Sequence, residues 1–105
     1  MTENNEIYEI KRSKVEEHKW ICDSLNAIYK AKNKDYGDSF TKAYEKYGNV
    51  SILLRMFDKF SRLEQLLLNG DRQVADEKIT DTLLDMANYS IMAIMELEGK
   101  NVSSL

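Results

Sequence analysis

A chain of 105 residues, 43% hydrophobic and 31% charged, has the size of one domain and the composition of an ordinary folded protein rather than a disordered one. Its net charge of −3 gives no electrostatic reason to expect duplex DNA, and no apolar run reaches the ~20 residues of a membrane span. A polar, acidic start in place of a signal peptide and a single cysteine, Cys22, which reads as a small buried thiol, predict work in a cytoplasm.

Proline is absent and glycine occurs four times, which favours long uninterrupted helices. Residues 1–12 read as a frayed or extended arm on the single domain 1–105. Ser13, with Glu16 three residues on, has the form of a capping box. It opens a helix that runs to about Lys32 and carries Val15, Cys22, Leu25, Ile28 and Tyr29 at helical spacing. The next stretch, "NKDYGDSF", holds turn residues and no hydrophobic period. Ser39 is placed to cap a short helix ending at Gly48, and Asn49 to cap the next, over 50–69, which stops at Asn69 and Gly70. A short polar connection leads to a last helix over 77–98, ended by Gly99. The expectation is an all-α bundle of three long helices and one short one, antiparallel across short connections. Phe57, Leu66, Leu68, Ile91 and Met95 fall outside the main apolar faces, which predicts completion by a homo-oligomer, most simply a homodimer.

Two polar stripes stand out. Projection of the 50–69 helix puts Ile52, Met56, Phe60, Leu63 and Leu67 on one side and Arg55, Asp58, Lys59 and Arg62 on the other. The last helix carries Glu77, Asp81 and Asp85 four apart down one narrow face, bordered by Leu84, Ile91 and Met95. Like charges between apolar flanks repel and lose solvation unless something positive meets them. Bases of the neighbouring helix would do so as a structural ladder, and a divalent cation would do so as a ligand. Oxygen donors alone suit Mg²⁺ or Mn²⁺, shared with substrate phosphates, while arginine and lysine at helical spacing suit phosphate oxygens.

The candidate metal ligands are therefore Asp58, Glu77, Asp81 and Asp85, and the candidate phosphate contacts are Arg55, Lys59 and Arg62, with Lys34 and Tyr36 from the loop. Tyr36 can stack on a base or plug the bundle end, and Asn88 can read a base edge or satisfy a buried acid. His18 is a solvated surface histidine with no cysteine partner for zinc. The sequence assembles no Ser–His–Asp or Cys–His arrangement, and it contains no glycine-rich phosphate loop.

The segments "KNKDYGDSF", "LLRMFDKFSRLEQLL" and "DEKITDTLLDMANYSIMAI" resemble a family of small phage and bacterial helical proteins described as nucleotide-modification-associated. The likeness covers residues 32 to 96. More distantly, the layout is similar to the all-alpha NTP pyrophosphatases, the MazG-like superfamily, in which an E-E-x-x-E helix faces an E-x-x-D helix and the acids hold Mg²⁺ against a nucleoside triphosphate. Laid on this chain, the first pattern falls on Asp58, Lys59 and Arg62, so bases replace two of its three acids, and the second falls on Asp81 through Asp85 with one spacing changed. The resemblance thus implies a protein that binds a phosphorylated nucleotide between the 50–69 and 77–98 helices without efficient hydrolysis. A Mg²⁺-dependent triphosphate pyrophosphohydrolase and a ligand-free helical assembly module are the competing readings.

Overall fold

A computed structural model of the chain describes residues 12–33, 37–69 and 72–99, with residues 72–77 described by their backbone alone. The described residues form four helices and no strand: α1 (Lys14–Lys32), α2 (Gly37–Tyr47), α3 (Asn49–Asn69) and α4 (Arg72–Gly99). The all-α expectation holds, and the expected N-terminal arm lies outside the described residues apart from Arg12. None of the described helices is long and apolar enough to cross a membrane.

The helix ends follow from local chemistry. Ser13 is extended, its Oγ accepts from the Glu16 N–H at 3.1 Å, and the Glu16 carboxylate accepts from the Ser13 N–H at 2.9 Å. This reciprocal pair satisfies two backbone donors that the first turn of α1 would leave unpaired. Between α2 and α3 the chain turns at Gly48, whose φ of +70° is open to glycine without steric cost. The Gly48 N–H closes α2 onto the Tyr44 carbonyl at 2.7 Å, and the Ser51 N–H and Oγ both donate to the Gly48 carbonyl, at 3.0 and 2.8 Å.

Three expected boundaries move. Helix α2 begins at Gly37, so Ser39 lies inside it, and Asn49 is the first residue of α3 rather than a cap outside it. Helix α4 begins at Arg72, five residues before Glu77, because "RQVAD" contains no breaker and simply extends the helix toward α3.

The register of the bundle can be read from its cross-links. Arg55 meets Tyr89, and Lys59, four residues further along α3, meets Asp85, four residues back along α4, so α3 and α4 run antiparallel. Leu25 of α1 meets Asn88, while Lys32, two turns on, shares a cavity with Asp81, so α1 is antiparallel to α4 as well. Helix α4 is therefore central, with α1 and α3 against it. Helix α2 contributes Phe40 to the buried cluster of Phe40, Tyr89, Met92 and Ala93, against which Tyr29, Ile52 and Met56 pack. The Thr41 hydroxyl donates to the Glu96 carboxylate and ties α2 to α4.

The inner face of α3 differs from the projection. Ile52, Met56 and Leu63 are partly buried as expected, but Phe60 and Leu67 are exposed, at 56% and 61%. Ser51, Arg55 and Lys59 occupy the inner side instead. The cause is the partner helix, because Tyr89 and Asp85 of α4 offer those polar groups contacts that water would otherwise supply. Cys22, expected to be buried, is exposed on α1, and its Sγ lies 3.7 Å from the Nδ1 of His18, so the histidine expected to stand without a cysteine neighbour has one a single helical turn away.

Candidate functional site

A polar seam runs between α3 and α4 beside the buried core. The guanidinium carbon of Arg55 lies 5.5 Å from the centroid of Tyr89 and 6.0 Å from that of Phe40, and its Nη1 donates to the Tyr89 hydroxyl at 3.3 Å. The two rings are themselves stacked, with centroids 5.8 Å apart and planes 22° from parallel. One turn along α3, the Lys59 ammonium stands 5.8 Å from the same Tyr89 ring and 3.1 Å from Asp85 Oδ2. The negative ring face attracts both cations, and Asp85 neutralises one of them. Lys59 and Asp85 are both half-buried. Asp85, an acid between apolar neighbours on α4, has therefore found its base on the facing helix, as a structural ladder would require.

Asp85 also faces the other way. With Ile28, Ala31 and Lys32 of α1 and with Asp81 and Leu84 of α4, it lines a cavity of about 350 Å³. Its size falls in the range of small-ligand sites. The wall is apolar at Ile28, Ala31 and Leu84, and the charges of Lys32, Asp81 and Asp85 stand beside it. Asp81 is exposed and has no ion-pair partner among the described residues.

The other candidates do not gather at this point. Arg62 is exposed and lines a separate cavity with Gln65, Leu66 and Asn69 near the end of α3. Asp58 is exposed on α3 and joins neither Asp81 nor Asp85, and among the described residues no group of three His, Cys, Asp or Glu side chains is placed to hold a metal ion. Lys34, Tyr36 and the side chain of Glu77 lie outside the described residues. Asn88 is buried, and its Nδ2 donates to the Leu25 carbonyl at 3.2 Å. It acts as a clip between α1 and α4, because its position on α4 is already enclosed by α1. Asn88→Ala is expected to cost about 1–2 kcal/mol, one buried hydrogen bond plus a small cavity. A lowered thermal midpoint with helicity retained below the transition checks it.

Sequence reasoning missed the Phe40–Tyr89 stack beneath Arg55 and the α1 wall of the cavity. The first had a signal, since Tyr89 follows Asp85 by one helical turn on the stripe already singled out. The second had none, because it needs the register of α1 on α4.

Fold and site together define a small all-α bundle whose polar seam opens at one side into a cavity walled by α1 and α4. The chain belongs to the family described as nucleotide modification associated domain 1, which matches residues 32–97. That span takes in all of the seam, along with Lys32, Asp81, Leu84 and Asp85 of the cavity, while Ile28 and Ala31 precede it. Comparison with curated proteins and with solved structures returns no match.

Proposed function

We propose that this chain binds a phosphorylated nucleotide in the cavity between α1 and α4, holding it without efficient hydrolysis. The observation that carries the reading is the double engagement of Asp85. Lys59 fixes its carboxylate from the α3 side, and it stands beside Asp81 in a cavity with an apolar wall. A base or sugar face can lie on Ile28, Ala31 and Leu84, and phosphate oxygens can meet the Lys32 ammonium. Family membership supports a nucleotide as the ligand class.

Two carboxylates beside a phosphate would repel it unless a cation intervenes. Asp81 and Asp85, one helical turn apart, fit what Mg²⁺ asks of a protein when phosphates and water complete its shell. Such an ion would supply charge neutralisation for the bound phosphates. Of this chain's own groups, Asp81 and Asp85 would hold it, Lys59 would orient Asp85, and Lys32 would grip phosphate. Arg62, in its own cavity, has no part in this assignment. With two acids where a denser cluster would favour metal-assisted hydrolysis, binding is the better-supported activity.

Native mass spectrometry of the purified protein, followed by incubation with a panel of nucleoside triphosphates and Mg²⁺, tests the reading. Intact nucleotide retained in stoichiometric amount is the expected result. Multiple-turnover release of pyrophosphate and monophosphate, lost in Asp85→Asn, would establish the hydrolase reading instead, and retention of no nucleotide would overturn both.

A further inference from the structure

The apolar residues of α3 that face away from the bundle follow a pattern of their own. Val50, Leu53, Phe57, Phe60 and Leu67, with Glu64 at the one polar position of the series, recur at alternating steps of three and four residues, and all six are exposed. That spacing is the a/d seam of a coiled coil, which exists to be covered by another helix. Leu54 and Leu68 widen it on one edge, and Phe57 and Leu68 are 65% and 73% exposed. Helix α4 packs on the opposite side of α3, and α2 reaches the seam only at its start, where Ala43 and Tyr47 line a cavity with Val50 and Leu54.

We propose that the α3 seam is covered by the α3 seam of a second copy of this chain, packed antiparallel about a twofold axis near residues 58 and 59. Three features of the seam select this occupant. First, it is self-complementary end to end. A 220 Å³ apolar cavity lies at its start, lined in part by Tyr47, Val50 and Leu54, and the protruding Leu67 and Leu68 lie at its finish. Antiparallel pairing sets Leu67 of the second copy opposite Val50, so each copy's leucines enter the other's cavity. Second, the same register places Phe57 against Phe60 of the second copy twice over, an aromatic centre of the kind that anchors interfaces. Third, the only charge on the seam is Glu64. Parallel in-register packing would set two Glu64 carboxylates against each other. Antiparallel packing separates their backbones by 11 residues of helix, about 16 Å at 1.5 Å per residue, beyond the ~10 Å screening length.

The test uses the full chain in a Cys22→Ser background, with sedimentation equilibrium and disulfide trapping. The unmodified seam should sediment at twice the 12.2 kDa chain mass. Phe57→Asp places a carboxylate at the centre of the pair while leaving the fold of one copy untouched. It should weaken self-association on the order of a hundredfold or more, with the helical circular dichroism unchanged. Val50→Cys combined with Leu67→Cys should give disulfide-linked dimers under mild oxidation, while neither single cysteine does. Linkage through Val50→Cys alone would mean parallel packing and overturn the proposal. A 12.2 kDa species at tens of micromolar with the seam intact would overturn it too, giving this face to a different partner.

Discussion

Phe40→Ala is expected to cost about 3–5 kcal/mol, a fall in the thermal midpoint on the order of 10–20 °C. Phe40 is 2% exposed and is the buried anchor that α2 contributes to the core. Its ring stacks on Tyr89 and supports the Arg55 guanidinium, so truncation leaves a cavity and removes one of two aromatic faces from a cation. The loss should be large because the core is small, and few neighbours can collapse into the space. Phe40→Leu keeps most of the apolar volume and should cost less than half as much. Thermal unfolding followed by circular dichroism measures both. A Phe40→Ala midpoint within 2–3 °C of the parent would mean that α2 is not docked on Tyr89.

The second large effect separates structure from ligand binding at the Lys59–Asp85 pair. Lys59→Met keeps the side-chain stem over Tyr89 but strands a half-buried carboxylate. Because both groups keep access to water, the stability cost is about 1–2 kcal/mol rather than that of a fully buried ion. Adding Asp85→Asn removes the stranded charge and should restore most of that loss. Nucleotide affinity should behave differently. Asp85→Asn alone is expected to weaken Mg²⁺-dependent nucleotide binding by about ten- to a hundredfold, the worth of one charge-assisted contact, and the double variant should not recover it. Calorimetric titration beside thermal melts of the four proteins completes the cycle. Affinity that tracked stability through all four would reduce the pair to a structural ladder.

What the sequence discloses here, and what it conceals, divides along the range of the interactions. The Ser13–Glu16 box and the helix stop at Gly48 rest on neighbours within four residues, so spacing alone reveals them. The facing of the two stripes was also legible, because the short link between α3 and α4 enforces antiparallel packing, and Lys59 does meet Asp85. Which side of α3 turns inward was legible only in part, since Ile52, Met56 and Leu63 do turn inward but Phe60 and Leu67 do not. The helix has apolar residues nearly all round, and the choice is made by Tyr89 and Asp85, which satisfy Arg55 and Lys59 from another helix. Arg62 shows the same limit. Spacing continues the basic stripe to it, but in the α3–α4 register it comes level with Thr82, whose hydroxyl already donates to the Lys78 carbonyl at 2.7 Å. With no acid paired to it among the described residues, Arg62 lies in an open cavity of its own. The α1 wall of the candidate site was hidden for a related reason, since Ile28 and Leu84 are brought together only by folding.

Methyl and amide NMR of the labelled protein, titrated with a nucleoside triphosphate in the presence of Mg²⁺, tests the central claim most directly because it reports where a ligand sits. Saturable shifts at Ile28, Ala31 and Leu84, moved by Asp85→Asn to about ten- to a hundredfold higher nucleotide concentration, are the predicted result. Shifts confined to Gln65 and Leu66 beside Arg62, or no saturable shift at any triphosphate concentration up to the millimolar range, would contradict it.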